Sequence, residues 1–264
     1  MKSFEFHRPR SVADAVTLLK ANDAAKLLAG GQSLLPVMKL DLAQPSDLVS
    51  LAAIRALKEI RSDGDTLVIG ALSTHDEVAT SAEVKKRIPG LAGLAGGIGD
   101  AQVRNRGTIG GSLAHADPAA DYPAAVLALG ATIVTDRRSI AADSYFTGLF
   151  QTALAADEII TSVRFPVPEC SAYAKFAHHA SKYALVGVMV AKTAGGVRVA
   201  VTGAGPKAFR VRALETALGA RFSPDAVTSG SVDPGDLRSD SEFSAEYKAH
   251  LVTVMAKRAV QACL

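Results

Sequence analysis

The sequence predicts an α+β protein, in which two small α/β units precede a domain with an antiparallel sheet and helices. Short apolar runs bounded by turn signals alternate with stretches of helical spacing as far as Phe165. Pro166 and Pro168 then interrupt the pattern, and several strand-like runs follow. Apolar residues recur at helical spacing from Phe243 to Cys263. We therefore expect subdomains at residues 1–56 and 57–167 and a C-terminal domain at residues 168–264.

Composition is that of an ordinary globular protein. The 264 residues are 48% hydrophobic and 21% charged, which is enough for a sizeable core. The net charge of +3 is spread along the chain, so neither nucleic acid nor an anionic membrane is expected as a partner. No apolar run reaches the roughly 18 to 20 residues of a membrane span, and the first ten residues lack the apolar core of a signal peptide. We expect a cytoplasmic protein.

Cysteine is scarce. The chain has only Cys170 and Cys263. An iron–sulfur cluster is usually held by about four thiolates, so any cluster that serves this protein must belong to another chain.

The first subdomain contains a strand that leads into a glycine-rich turn. Ser11 to Asp14 resembles a capping box and predicts a short helix. Lys26 to Ala29 predicts a buried strand, which is followed by Gly30-Gly31-Gln32-Ser33. Glycine reaches positive φ and has no Cβ, so backbone N–H groups can approach an anion such as phosphate. A plain tight turn is the alternative.

Within the second subdomain, Thr74 to Glu77 has the spacing of a capping box. It predicts a helical stretch as far as Ile88, which Pro89-Gly90 ends. His75 is isolated near the cap, and we interpret it as structural. Asp157 to Phe165 predicts a strand.

Residues 96–125 predict a functional loop, because their pattern fits neither helix nor strand. Gly110-Gly111 lies between the hydroxyls of Thr108 and Ser112 and shortly after Arg104 and Arg106. Backbone and side-chain donors of this stretch are candidates to bind a second phosphate, or the same diphosphate.

The sequence gives little support for other nucleotide-binding folds, for hydrolase or thiol-redox chemistry, or for a metal site. The chain has no G-x-G-x-x-G fingerprint before a helix, no P-loop, no serine elbow and no C-x-x-C pair. His115, Asp117 and Asp121 fit turn and helix-start positions better than a metal site. His178 and His179 are adjacent on a predicted strand, where side chains point to opposite faces, so we expect no shared metal.

The C-terminal domain predicts an antiparallel sheet followed by helices. Its candidate strands are Ala172 to His178, Leu185 to Lys192 and Val197 to Thr202. Helical spacing recurs from Arg210 to Leu218 and in the final segment.

Several ordered motifs resemble those of the FAD-binding (medium) subunits of molybdenum hydroxylases, above all the medium chains of aerobic carbon monoxide dehydrogenases. The motifs are AGGQSLLP from Ala29, RNRGTIGGS from Arg104 and DPAAD from Asp117, with Lys175, KYALV from Lys182 and YKAHL from Tyr247. The resemblance covers essentially the whole chain. It implies two α/β subdomains that enclose FAD, as in the PCMH (vanillyl-alcohol-oxidase-like) type, and a third domain with an antiparallel sheet and helices.

The resemblance also implies which residues bind FAD. The diphosphate is expected against Ala29 to Ser33 and Thr108 to Ser112, with Asp121 as acceptor for a cofactor hydroxyl and Tyr183 against the isoalloxazine. No catalytic acid or base and no metal ligand are implied. The full set is Ala29, Gly30, Gly31, Gln32, Ser33, Ile98, Thr108, Ile109, Gly110, Gly111, Ser112, Asp121, Ile160, Lys175 and Tyr183.

Two positions depart from the family pattern. Ser112 stands where many relatives have Asn, but it retains a hydrogen-bond donor. Lys182 stands where many have Asp, and its positive charge is expected to stabilise the reduced flavin and to alter its potential.

The function implied by the resemblance is electron transfer. A large partner subunit would oxidise substrate at its molybdenum cofactor, a small one would carry [2Fe–2S] clusters, and FAD on this chain would pass electrons to an external acceptor. We expect a dimer of heterotrimers. Two alternatives stay open: a stand-alone FAD-dependent oxidoreductase and a non-enzymatic nucleotide-binding assembly protein.

Overall fold

The computed structural model describes all 264 residues, and its first unit is a small parallel sheet with the strand order β1-β3-β2. Its elements are β1 (Glu5–His7), α1 (Val12–Ala21), β2 (Ala25–Leu28), α2 (Leu34–Lys39) and β3 (Asp47–Ser50). The Ser11 hydroxyl accepts the N–H of Asp14, so the predicted helix start is confirmed. Two 3₁₀ turns then connect this sheet to the next one.

The second unit contains a five-stranded antiparallel sheet with the order β4-β5-β10-β6-β7. The strands of this sheet are β4 (Ile60–Asp63), β5 (Thr66–Gly70), β6 (Thr132–Thr135), β7 (Ser139–Ala141) and β10 (Ile160–Pro166). A separate hairpin is formed by β8 (Phe146–Gly148) and β9 (Gln151–Thr152). The helices of this unit are α3 (His75–Thr80), α4 (Ala82–Arg87), α5 (Pro89–Gly96), α6 (Ala101–Arg104), α7 (Ile109–His115), α8 (Tyr122–Ala128) and α9 (Ala142–Tyr145). The sheet and these helices share the largest core.

The helical stretch predicted after Thr74 is interrupted. The capping box is present, since Thr74 Oγ1 accepts the N–H of Glu77 and the Glu77 carboxylate accepts the N–H of Thr74. Ser81 has extended ψ, which ends α3, and its hydroxyl then caps α4. Pro89 begins α5 rather than only ending the preceding helix, because a proline at the first helical position loses no hydrogen bond.

The prediction that residues 96–125 form an irregular loop is wrong. The stretch contains α6 and α7, besides the start of α8 at Tyr122, where a helix start is expected from the sequence. The helices α6 and α7 have only four and seven residues, too few to produce a clear apolar period. Their starts were marked instead by capping residues, because Asp100 and Thr108 accept N–H groups of the first turn.

The C-terminal unit is an antiparallel sheet with the order β11-β12-β13-β14, as expected from the sequence. Its elements are β11 (Cys170–Ala177), β12 (Ala184–Thr193), β13 (Gly196–Thr202), β14 (Phe209–Arg210), α10 (Arg212–Ala220) and α11 (Ala245–Cys263). Side chains of β12 alternate between two cores: Met189 joins that of the second unit, and Val188 and Val190 pack with α10 and α11. The sheet is therefore covered on both faces.

None of the helices combines the length and the apolar character that crossing a membrane requires.

Candidate functional site

A cavity of about 650 Å³ lies where the carboxyl end of β2, the start of α7 and the turn before β12 converge. This volume falls within the range of roughly 300 to 1,000 Å³ that is common for ligand sites. Most of the predicted site residues line it: Ala29, Gly30, Gly31, Gln32, Ser33, Ile98, Thr108, Gly110, Gly111, Ser112, Asp121, Ile160 and Tyr183. Its wall combines apolar side chains with glycine backbone and hydroxyl groups.

The first glycine segment (Gly30–Ser33) offers unused backbone donors. Its four N–H groups donate to no acceptor within the protein. Gly31 has a φ of +74°, a conformation that glycine adopts without strain. Successive free N–H groups of this kind form a concave site for an anion, so the segment fits a diphosphate.

In the second glycine segment (Thr108–Ser112), backbone N–H groups already have acceptors within the protein. The N–H groups of Ile109 and Gly110 donate to the carbonyls of Ser73 and Ala71, at 3.1 and 2.9 Å. That of Gly111 donates to Thr108 Oγ1 at 3.1 Å. The expectation that this backbone cradles a phosphate is therefore not supported, and the hydroxyls of Thr108 and Ser112 are the donors that line the cavity.

Glycine lets the two segments approach each other. A Cβ at Gly30 would overlap the carbonyl of Arg106, just before the second segment. A Cβ at Gly111 would lie 2.9 Å from Thr108 Oγ1 and 3.7 Å from the Cβ of Ala29. Any side chain at Gly111 would therefore occupy the space between the segments.

The two arginines that precede the second segment do not face the cavity. Arg104 donates to the carbonyls of Ile98 and Gly99, at 3.1 and 3.2 Å, and Arg106 is exposed. Neither lines the cavity. The structure therefore gives no support to either arginine as a phosphate donor: Arg104 holds its own loop, and Arg106 lies outside the cavity lining.

Asp121 is a buried acidic group in the cavity wall, with 5% of its surface exposed. Its carboxylate accepts from Tyr173 Oη at 2.5 Å and lies 3.1 and 3.3 Å from Lys175 Nζ. Burial raises the pKa of Asp121, and the charge of Lys175 and the Tyr173 hydroxyl oppose that shift. It occupies the helix-start position before α8 but does not cap it.

Lys175 does not line the cavity, although the resemblance places it near the cofactor. Its ammonium also donates to the carbonyl of Gly97 at 2.7 Å, so it lies behind Asp121. Ile109, another expected contact, is fully buried in the largest core.

Tyr183 and Lys182 lie on the turn between β11 and β12 and both line the cavity. Lys182 has a φ of +64°, and its N–H donates to the carbonyl of His178. Tyr183 is 48% exposed, and partial burial together with the charges of Asp117 and Asp121 raises its pKa. The ring is thus accessible at the cavity wall.

His75 has a larger part in the site than its position near a cap suggested. It is buried, it lines the cavity, and its Nδ1 has no hydrogen-bond partner. Burial, with a contribution from Arg104, lowers the pKa of His75 to about 4. The wall therefore contains a neutral imidazole at neutral pH.

The expectation that the side chains of His178 and His179 point to opposite faces of a strand is wrong. β11 ends at Ala177, and the two rings stack with centroids 4.8 Å apart beside Glu242. His178 Nδ1 accepts the N–H groups of Ala180 and Ser181, so its Nε2 carries the proton and faces Glu242 at 3.4 Å. A metal ion at that nitrogen would have to displace this proton.

Sequence reasoning missed part of the wall. Leu28, Leu154 and Ile159 add apolar surface to the wall. His115 and Phe150 also line it, with their ring centroids 5.2 Å apart. Phe150 has a φ of +53°, which is unusual for an aromatic residue. No spacing signal marks these residues, since they come from separate elements.

Comparison with known proteins identifies the family of the chain. Residues 2–168 match the family described as the FAD binding domain in molybdopterin dehydrogenase. The chain is 39% identical to the carbon monoxide dehydrogenase medium chain of Hydrogenophaga pseudoflava over 98% of this chain and 96% of that protein. It is also 39% identical to the nicotine 6-hydroxylase medium subunit of Paenarthrobacter nicotinovorans, over 98% and 97% of the two chains.

Solved structures agree over the full length. A chain of the carbon monoxide dehydrogenase from Hydrogenophaga pseudoflava superposes with a TM-score of 0.91, covering 99% of this chain and 97% of that one at 39% identity. A chain of quinoline 2-oxidoreductase from Pseudomonas putida 86 gives a TM-score of 0.90 at 30% identity, covering 100% and 98%. The likeness thus extends beyond the first 168 residues to the C-terminal sheet and helices.

Proposed function

Because the chain belongs to the FAD-binding medium subunits of the molybdenum hydroxylase family, we propose that it transfers electrons between partner subunits and an external acceptor. The chain is an oxidoreductase subunit with FAD as its cofactor. In the proposal, electrons come from the [2Fe–2S] clusters of a small subunit, after substrate oxidation at the molybdenum cofactor of a large one. The substrate is carbon monoxide, an aldehyde or an N-heterocycle, selected on the large subunit.

The free donors of Gly30–Ser33 carry the proposal for this cavity. In the proposed complex these N–H groups, with the hydroxyls of Thr108 and Ser112, bind the FAD diphosphate. Asp121 accepts from a cofactor hydroxyl, and Tyr183 covers the isoalloxazine. Ile98 and Ile160 supply apolar contacts. FAD supplies the redox chemistry, and these residues bind and orient it and limit the access of water.

Partner subunits are part of the proposal. The relatives are named as medium chains or subunits of multi-chain enzymes. Two cysteines cannot supply the thiolates of a cluster, so the clusters that deliver electrons in this proposal lie on another chain. We propose a cytoplasmic dimer of heterotrimers.

Removal of FAD from the assembled complex tests the relay. We expect Gly111→Val to prevent FAD binding, because its side chain would lie between the two glycine segments. The complex is purified from the source cell through a tag on this chain and treated anaerobically with carbon monoxide, an aldehyde or an N-heterocycle. The substrate that bleaches the flavin in the normal complex should still reduce the clusters of the variant, but electron transfer to an acceptor dye should stop.

Gly93→Val is the control for replacing a helical glycine with valine. Gly93 also lies in a helix, and a Cβ there would meet nothing within 4 Å. Gly93→Val should therefore keep both FAD and dye reduction. Full FAD content in Gly111→Val would refute the proposed site, and normal dye reduction by an FAD-free complex would refute the relay.

A further inference from the structure

We infer that Lys175 and Tyr173 are positioning residues, which hold Asp121 ionised and correctly oriented for FAD. This inference rests on the proposed contact between Asp121 and a cofactor hydroxyl. It replaces the expectation that Lys175 touches FAD. Both residues lie on β11, so a strand of the C-terminal unit sets the chemistry of a residue in the cavity wall.

The geometry leaves Lys175 little freedom to serve the cofactor directly. Its Nζ lies 2.7 Å from the carbonyl of Gly97 and within 3.3 Å of both oxygens of Asp121. Tyr173 Oη donates to Oδ1 of the same carboxylate. One face of Asp121 is therefore filled by donors from β11, and the other borders the cavity.

Burial makes this support necessary. A carboxylate with 5% exposure loses most of its hydration, and burial alone favours its neutral form. A nearby ammonium and a phenol hydroxyl favour the ionised form instead. An ionised Asp121 accepts a stronger, charge-assisted hydrogen bond from a hydroxyl than a neutral carboxyl accepts.

The acidic turn (Asp117–Asp121), which carries Asp121, is held by the same C-terminal sheet. Thr202 Oγ1 lies 2.9 Å from the carbonyl of Pro118 and 2.6 Å from that of Ala120. The N–H of Gly203 donates to Pro118, and that of Ala184 to Ala119. The carboxylate therefore has a fixed backbone as well as fixed donors.

Other titratable groups near Asp121 do not replace Lys175. The groups that face it are Tyr173 and Lys175 on β11, Tyr183 on the turn after β11 and Tyr122 on α8, and Asp117 on the same turn as Asp121 acts on Tyr183. The tyrosines are neutral at neutral pH, since the pKa of a phenol is ordinarily about 10 and burial raises it further. Asp117 carries the same charge as Asp121, so Lys175 is the cation among these groups.

The test is the pH dependence of FAD binding to the full chain, measured by flavin fluorescence titration from about pH 5.5 to about pH 8.5. In Lys175→Met the pKa of Asp121 rises, so FAD affinity should fall about tenfold or more toward the acid end. Wild type and Lys175→Arg should change less than about twofold. Lys192→Met is the control, because Lys192 pairs with Glu169 at the exposed surface of β12.

A Lys175→Met protein that binds like wild type, or that loses the same affinity at every pH, would overturn the inference. Should that variant fail to fold, Tyr173→Phe is used in the same titration, with a smaller loss expected in the same direction. Asp121→Asn separates the two proposals. If Asp121→Asn binds FAD with wild-type affinity, the contact between Asp121 and FAD is refuted. If Asp121→Asn binds FAD more weakly but binding to Lys175→Met does not depend on pH, only the positioning role of Lys175 is refuted.

Discussion

His75 places an uncharged imidazole in the wall of the cavity that we propose for FAD. Its ring packs against Tyr122, with centroids 5.4 Å apart, and its side chain has no hydrogen-bond partner at Nδ1. A protonated ring there would be a buried charge beside Arg104. The residue therefore stabilises the fold only while it is neutral.

We predict that His75 makes stability fall as the pH is lowered. Its pKa is about 4 in the folded chain and about 6.5 when unfolded, so the unfolded chain binds an extra proton between these values. The unfolding free energy should decrease by about 3 kcal/mol across that window. Urea unfolding of the FAD-free chain at several pH values measures it.

His75→Phe should flatten this dependence, since phenylalanine keeps a ring and does not titrate. The exposed His250 on α11 provides the control, and His250→Gln should keep the wild-type curve. The pKa values of Glu158 and Asp240 fall from 4.5 and 3.8 in the unfolded chain to about 2 in the folded chain, so their effect on stability is confined to pH values near and below the acid end of this window. An unchanged slope in His75→Phe would contradict the assignment.

Lys182 gives the cavity a positive charge in an uncommon backbone conformation. We predict that Lys182→Asp lowers the flavin potential by roughly 20 to 60 mV, because a cation that favours the reduced cofactor is replaced by an anion. Stability should not fall, since Asp tolerates positive φ better than Lys. Spectroelectrochemical titration of the FAD-loaded chain measures the shift, and an unchanged potential would refute the role of Lys182.

Single residues were predictable where a motif implied their chemistry. The motifs led to the cavity-lining positions of Gly31, Asp121 and Tyr183. They did not distinguish a residue that borders the cavity from one that supports it, as Lys175 does, because both belong to the same motif set. That distinction depends on side-chain direction, which spacing does not contain.

The acidic turn is the element through which the C-terminal sheet reaches the site. We predict that Thr202→Val destabilises the chain by about 1 to 3 kcal/mol, because the carbonyls of Pro118 and Ala120 lose a buried donor. FAD release should also become faster. Thermal unfolding and stopped-flow fluorescence measure the two effects.

Thr193→Val is the matched control. Thr193 lies at the end of β12, and its hydroxyl donates to Gly196 at the exposed hairpin. It should change stability by less than about 0.5 kcal/mol. Equal effects of the two substitutions would show that the turn does not depend on Thr202.

Elements with a long apolar pattern were predictable, and short ones were not. The strands β12 and β13 and the helix α11 follow the predicted segments closely. The helices α6 and α7 were missed because they are short and include glycine or begin within a loop. Tertiary contacts stabilise them, as when Gly110 donates to Ala71.

At the scale of the molecule, the C-terminal sheet joins the two cores. Met189 and Ala200 extend the core of the second unit, while Val190 and Val199 pack with α10 and α11. Asp143 of the second unit pairs with Arg198 and Arg210 across the same junction. Such contacts between distant segments were not predictable from local patterns, although the strand order of the C-terminal sheet was compatible with simple hairpins.

The central claim is that this chain works as the FAD subunit of a larger assembly. Native mass spectrometry of the complex purified from the source cell, through a tag on this chain at its natural expression level, tests it most directly. We predict a particle with a large and a small partner chain, and one FAD for each copy of this chain. A protein that is isolated with FAD but without partner chains would contradict the account and favour a stand-alone flavoprotein.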